Sequence, residues 1–182
     1  FDLEEKPESL TILGAGYIGL EIAMAYNRLG VKVRILEFTD RVLRTQTPDI
    51  STELEKHMME EGIEFQPNDR IEKVEKQGNN IIIKGKNAKT EEPFELIEPG
   101  YIVIATGTKP NTGKLGLENI NLEVEKRGYI KVNSQMQTSL SHIYAAGDCT
   151  NTPAFVYTAA KEAKIAARNA LAGENNQVDY TG

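Results

Sequence analysis

The sequence predicts an α/β fold with a parallel sheet, and three observations carry that reading. A short apolar run, Leu10-Thr11-Ile12-Leu13, gives way to helical spacing at Leu20, Ala23, Met24 and Leu29. A second strand-like run follows, with Val31, Val33, Ile35 and Leu36, and it closes on an acid, Glu37. The first strand and the helix are joined by Gly14-Ala15-Gly16-Tyr17-Ile18-Gly19, which fits G-x-G-x-x-G. Strand, glycine turn, helix, strand and acid in this order describe a Rossmann-type dinucleotide-binding unit.

Each part answers a physical requirement. Gly14 permits the tight turn, Gly16 lets the backbone approach a pyrophosphate, and Gly19 lets the helix lie close on the strand. The first N–H groups of a helix have no partner inside it. The loop from Gly14 to Gly19, with Ala15, Tyr17 and Ile18 in it, therefore presents donors and a positive dipole end to phosphate. Glu37 stands where a carboxylate accepts both ribose hydroxyls of an adenosine. The competing reading is a glycine turn that serves packing alone.

Along the rest of the chain, residues 1–9 read as a linker, and Asp40–Arg44 with Thr47-Pro48 as a loop. Asp49 or Ser51 is expected to cap a second helix that carries Leu54, Met58 and Glu61 and stops at Gly62. Ile63-Glu64-Phe65 supplies a third strand and completes a βαβαβ half. From Arg70 the period falls to two. Ile71–Glu75, Ile81–Lys84 and Phe94–Ile97 predict an antiparallel β-meander appended to the parallel sheet. Tyr101–Ala105 reads as a buried strand ending at Thr106-Gly107. Beyond a looser region around Leu115, Leu117 and Ile120, strands are expected at Tyr129–Val132 and Ile143–Ala146, the latter ended by Gly147-Asp148. A strong helix is expected from Ala154 to Leu171, stopped by Gly173, with a polar, frayed tail from Glu174.

Composition narrows the classes. A length of 182 residues suits one sizeable α/β domain with a second small piece, and a net charge of −6 argues against nucleic acid or anionic membrane as partners. No apolar run reaches the length of a membrane span, and Phe1–Ser9 is acidic and polar, unlike a secretion signal, so a cytoplasmic protein is expected. Cys149 is the single cysteine, which excludes an intrachain disulfide or a C-x-x-C redox pair. Next to Asp148 in a turn and without a resolving partner, it reads as a bystander. His57 lies on a charged helix face and His142 has no cysteine or acid cluster near it, so neither suggests a metal site.

The segments GAGYIGLE, the terminal Glu37, IVIATGTKPN and TSLSHIYAAGDCTN occur in that order. With them the chain resembles the flavin- and pyridine-nucleotide-dependent disulfide oxidoreductases, the family of dihydrolipoamide dehydrogenase, glutathione reductase and mercuric reductase. The glycines and Glu37 look more like the first of these, and Phe155-Val156-Tyr157 with its alanine-rich helix more like the last. The resemblance implies an NAD-binding domain over 1–110 and, over 111–182, a C-terminal β/α segment of a partial FAD domain. Such enzymes open with a flavin domain that has its own glycine motif and a cysteine pair. They close with a dimerisation domain that supplies a histidine and a glutamate. This chain therefore resembles an internal fragment of a homodimeric enzyme in which NADH passes hydride to FAD. On that resemblance it is expected to carry no catalytic residue of its own.

The resemblance also assigns individual roles. Glu21 would lie near the nicotinamide carboxamide, or be an ordinary helix glutamate. Tyr17 would hold a ring over the flavin until nicotinamide displaces it, or be a core aromatic. Ile71 would touch adenine, or be plain core, and Gly107 would meet the nucleotide through its backbone, or be a turn residue. Asp148 would hydrogen-bond a flavin ribityl hydroxyl, and Ala154, Phe155, Val156 and Tyr157 would begin the helix that approaches the flavin. Glu37 predicts NADH over NADPH, with Arg41 and Arg44 as the cations within reach of a 2′-phosphate. The acceptor beyond the flavin stays open among dihydrolipoamide, mercuric ion, another disulfide and oxygen. The alternative function is a non-catalytic dinucleotide-binding or sensor module, against which the Asp148 segment counts.

Overall fold

The first helix packs against the strand that precedes it. In the computed structural model, which describes residues 3–181, α1 runs over Tyr17–Arg28 between β1 (Ser9–Leu13) and β2 (Lys32–Glu37). Its buried residues Gly19, Leu20 and Ala23 recur at helical spacing and face β1. A second helix, α2 (Pro48–Glu60), leads to β3 (Glu64–Pro67). Three strands then follow in sequence: β4 (Asp69–Gln77), β5 (Asn80–Asn87) and β6 (Pro93–Glu98). The chain returns through β7 (Tyr101–Ile104).

These strands form two sheets. One is four-stranded in the order β3-β2-β1-β7, all neighbours parallel, and the other is the three-stranded antiparallel meander β4-β5-β6. Alternate side chains of β1 and β2 explain how both faces are covered. Leu10, Ile12, Val33 and Ile35 cluster with Leu20 and Ala23 of α1 and with Met58 of α2. Leu13 and Leu36 cluster instead with Ile83 of the meander, joined by Ile71, Ile81 and Leu96. Burying each such aliphatic side chain contributes about 1.5–3 kcal/mol. At the meander's exit the buried Glu98 carboxylate accepts hydrogen bonds from Ser9 Oγ (2.5 Å), Thr11 Oγ1 (2.6 Å) and Gly100 N–H (2.7 Å), fastening β6 to β1.

The chain divides into two compact units, one ending at Gly107 and one starting at Thr108. The second holds a short 3-10 helix, Leu117–Ile120, and the helix α3, Val156–Ala172. Among the described residues no helix is long and apolar enough to cross a membrane.

Several expectations need correction. Tyr129–Val132 and Ile143–Ala146 are not strands; they make the single-residue bridges Val124–Ile130, Ile130–Thr150 and Gln137–Tyr144. A strand exists only where a neighbour continues the ladder, and among the described residues neither run has one. Ile143–Ala146 is also half-buried rather than buried. Tyr101–Ala105 is no buried strand either: β7 is an edge strand, with Tyr101 and Ile104 exposed. Helix α2 starts at Pro48 after the N-cap Thr47, because the fixed φ of proline suits the first helical position; Ser51 lies inside the helix, its hydroxyl on the Leu43 carbonyl. Among its described residues the tail is not frayed. Val178 N–H donates to the Ser134 carbonyl (2.8 Å), and Asn169 of α3 exchanges hydrogen bonds with the Asn176 backbone at 2.9 Å each way.

Candidate functional site

The glycine turn shows its requirements in its geometry. Gly14 has φ +104°, and a Cβ there would lie 2.5 Å from the Ala105 carbonyl oxygen. A Cβ on Gly19 would lie 2.1 Å from the Gly14 carbonyl oxygen, so the helix meets the turn backbone to backbone. Gly16, at the N-cap, differs: a Cβ there would meet nothing within 4 Å. Its missing side chain therefore leaves open space in front of the helix end. Among the described residues no side chain caps α1, and no acid sits in its first turn. That leaves the positive end of the helix free for an anion.

Glu37 is bound to this turn. Its carboxylate accepts from Ala15 N–H (2.7 Å) and, through the other oxygen, from Thr39 N–H (2.8 Å). Two N–H donors fix its position at the carboxyl end of β2, and lone pairs remain for further donors. A cleft of about 400 Å³ opens beside it, lined by Gly14, Glu37, Thr39, Asp69, Ile71 and Thr106 among others. Ile71 thus lines the cleft and also joins the meander core. Asp69 is buried, and that burial pushes its carboxyl above the ordinary range. The loop after β2 folds back on the turn: Leu43 N–H donates to the Ala15 carbonyl (2.9 Å), and the Gln46 amide donates to the Tyr17 hydroxyl. Arg41 spends its guanidinium inside that loop, on the carbonyls of Arg44 (3.1 Å) and Gln46 (3.4 Å).

A second hollow of about 290 Å³, lined by Glu8, Lys32, Arg34, Glu64 and Glu98 among others, lies at the amino ends of the strands. Ligands of open α/β sheets bind at the carboxyl ends, so the cleft at Glu37 is the candidate site.

In the second unit a cleft of about 470 Å³ is lined by Pro110, Tyr129, Asp148, Thr152 and Ala154 among others. Asp148 is exposed, on a turn whose Gly147 has φ +79°. Gly147 N–H donates to Glu162 of α3 (2.7 Å), and the Thr150 hydroxyl closes the turn onto the Gly147 carbonyl (2.8 Å). Phe155 and Tyr157 stack with centroids 5.1 Å apart at the start of α3, and Val156 beside them is 89% exposed.

Residues 1–163 match the pyridine nucleotide-disulphide oxidoreductase family. The chain belongs to this family. Mercuric reductase of Lysinibacillus sphaericus is 38% identical over 99% of this chain and 32% of its own length. Dihydrolipoyl dehydrogenase of Geobacillus stearothermophilus is 34% identical over 98% and 37%. Among solved structures, LpdA from Mycobacterium tuberculosis matches with TM-score 0.83 and 30% identity, over 98% of this chain and 38% of that one. The HOCl-induced flavoprotein disulfide reductase RclA from Escherichia coli, as its Cu(II) complex, matches with TM-score 0.85 and 28% identity, over 98% and 39%. The chain thus spans about a third of the length of the curated relatives it matches.

Within this chain, Gly14, Ala15, Gly16, Tyr17, Ile18, Gly19 and Glu37 converge on one turn. Tyr17 and Ile18 are exposed there, so Tyr17 is no core aromatic. Glu21 is exposed one turn further along α1, and Gly107, with φ +115°, follows β7. Asp148 and Ala154 line the second cleft, with Phe155, Val156 and Tyr157 exposed beyond it. Sequence reasoning missed Thr39, Asp69 and Thr106 in the first cleft and Glu162 behind the second. Glu162 left a signal: Thr158, Glu162, Ala166 and Asn169 share one buried face of α3.

Proposed function

We propose that the first unit of this oxidoreductase chain binds NADH in the cleft at Glu37 and that the second contributes to a flavin site. The observation that carries the reading is the Glu37 carboxylate, pinned by two backbone donors beside an uncapped helix end whose approach is clear at Gly16. The α1 end and the Gly14–Gly19 turn would hold the pyrophosphate, Glu37 the adenosine ribose, and Ile71 the adenine. Tyr17, Glu21 and the Gly107 backbone would serve the nicotinamide side. Asp148 would accept from the flavin ribityl chain, with Ala154, Phe155, Val156 and Tyr157 toward the ring.

These cofactors supply hydride chemistry when bound, from NADH to FAD and on to a disulfide or related acceptor. The residues of this chain bind, orient and supply fixed charge. We place the boundary between the nucleotide-binding domain (1–110) and the flavin-domain segment (111–182) near residue 110, and read the intact enzyme as a cytoplasmic homodimer. Titrating NADH and NADPH against the chain tests the central assignment. NADH binding the tighter of the two is the expected result; NADPH binding as tightly or more so rejects it.

A further inference from the structure

Glu162 lies in the middle of α3 and is completely buried. A buried carboxylate needs donors for both oxygens, or its desolvation goes uncompensated. Here one oxygen accepts from Gly147 N–H (2.7 Å) and the other from the Tyr180 hydroxyl (2.7 Å). Tyr180 belongs to the tail after α3, and the tail is itself held down. Asn176 pairs with Asn169, Val178 with Ser134, and the Asp179 carbonyl accepts from Lys161. The Gly147 turn packs closely on α3: a Cβ at Gly147 would lie 3.2 Å from the Ala159 Cβ.

We propose that Tyr180, acting through Glu162, is a positioning residue for the Gly147–Asp148 turn, so that the tail strap sets where Asp148 is presented. The part that concerns flavin rests on the reading of Asp148 given above. The phenol bears the mark of this partnership: burial of its hydroxyl and the Glu162 carboxylate push the Tyr180 pKa up to about 12. The chain of contacts is continuous from strap to helix to turn, with no solvent-exposed link at Glu162. Without Tyr180's hydroxyl, one Glu162 oxygen is unpaired in a buried site and the carboxylate turns from Gly147 toward water.

The test uses the whole chain and three variants: Tyr180→Phe, Glu162→Gln and Glu162→Ala. Amide hydrogen exchange resolved by NMR is the readout. In Tyr180→Phe, the Gly147 N–H should exchange about tenfold faster, the equivalent of losing one net hydrogen bond. Thr150 N–H, which donates to the Gly147 carbonyl, should follow it, while the core of α3 keeps its protection. Glu162→Gln retains a carbonyl that accepts from Gly147, so it should restore protection that Glu162→Ala lacks. Ultraviolet titration should show the highest-titrating phenol of the wild type moving part of the way toward an ordinary value in Glu162→Gln, since the burial of its hydroxyl remains. Unchanged exchange at Gly147 in Tyr180→Phe overturns the proposal. So does an equal acceleration throughout residues 108–181, which would mean general loosening instead of positioning. If Glu162→Ala does not fold, the phenylalanine and glutamine variants decide alone. An FAD titration of the wild type bears separately on the flavin reading, and its failure leaves the strap result standing.

Discussion

Replacing Glu37 by glutamine separates two things this side chain does. As a charge, the carboxylate would, on the proposed reading, discriminate against the 2′-phosphate of NADPH. Two unit charges about 4 Å apart interact by about 4 kcal/mol at an effective dielectric near 20. Glu37 is only half-buried, and salt screening reduces this to about 2 kcal/mol, or about 30-fold in binding ratio. As an acceptor, it satisfies Ala15 N–H and Thr39 N–H at once. A glutamine side chain has one carbonyl oxygen, so one of these N–H groups would face an NH2 and lose its partner, costing about 1–3 kcal/mol. Glu37→Gln should therefore weaken NADH outright, while the ratio of NADH to NADPH affinity falls by about 30-fold. Calorimetric titration of both nucleotides on both proteins, at a single ionic strength, gives the four constants needed. Arg41 does not complicate this forecast, because its guanidinium is committed to the carbonyls of Arg44 and Gln46. If the ratio survives unchanged in Glu37→Gln, the carboxylate is not the discriminating group.

Gly19→Ala and Gly16→Ala should behave oppositely. The first drives a Cβ to 2.1 Å from the Gly14 carbonyl and should cost about 1–3 kcal/mol in urea unfolding. The second meets nothing within 4 Å, so it should unfold like the wild type yet bind NADH poorly; a normal NADH affinity would count against the pyrophosphate assignment. Asp69→Asn should raise the thermal midpoint at neutral pH. Burial raises the Asp69 pKa, so the folded state binds more protons than the unfolded one between the two values, and wild-type stability falls as pH rises through them. The gap between variant and wild type should therefore close below about pH 4, and a gap that persists there would exclude this cause. The purified chain should be colourless and inactive toward lipoamide or glutathione disulfide with NADH. Its one cysteine cannot form an internal disulfide, and it has a single G-x-G-x-x-G turn to hold a dinucleotide pyrophosphate. Stoichiometric FAD or measurable reduction would contradict this.

The βαβ core and its turn were legible because their requirements are local. A glycine at φ +104°, a helix face of Leu20 and Ala23, and an acid at the end of β2 all follow from neighbouring residues and a fixed period. The alternation from Ile71 to Ile97 likewise marked the meander, since each strand there pairs with the next along the chain. Tyr129–Val132 and Ile143–Ala146 have the same composition as strands but lack continuous partners, and composition alone does not reveal a missing neighbour.

What the sequence by itself determined is therefore the glycine turn, the helix behind it and the acid at the next strand's end. Only the tertiary structure decided what each polar group answers to. It placed Ala15 and Thr39 on Glu37, buried Asp69 in the cleft wall, and brought Tyr180 back to Glu162 behind the Gly147 turn. The physical reason is range. Backbone dihedrals and side-chain periodicity act within a few residues, whereas a buried carboxylate takes whatever donors the folded chain delivers from far along it.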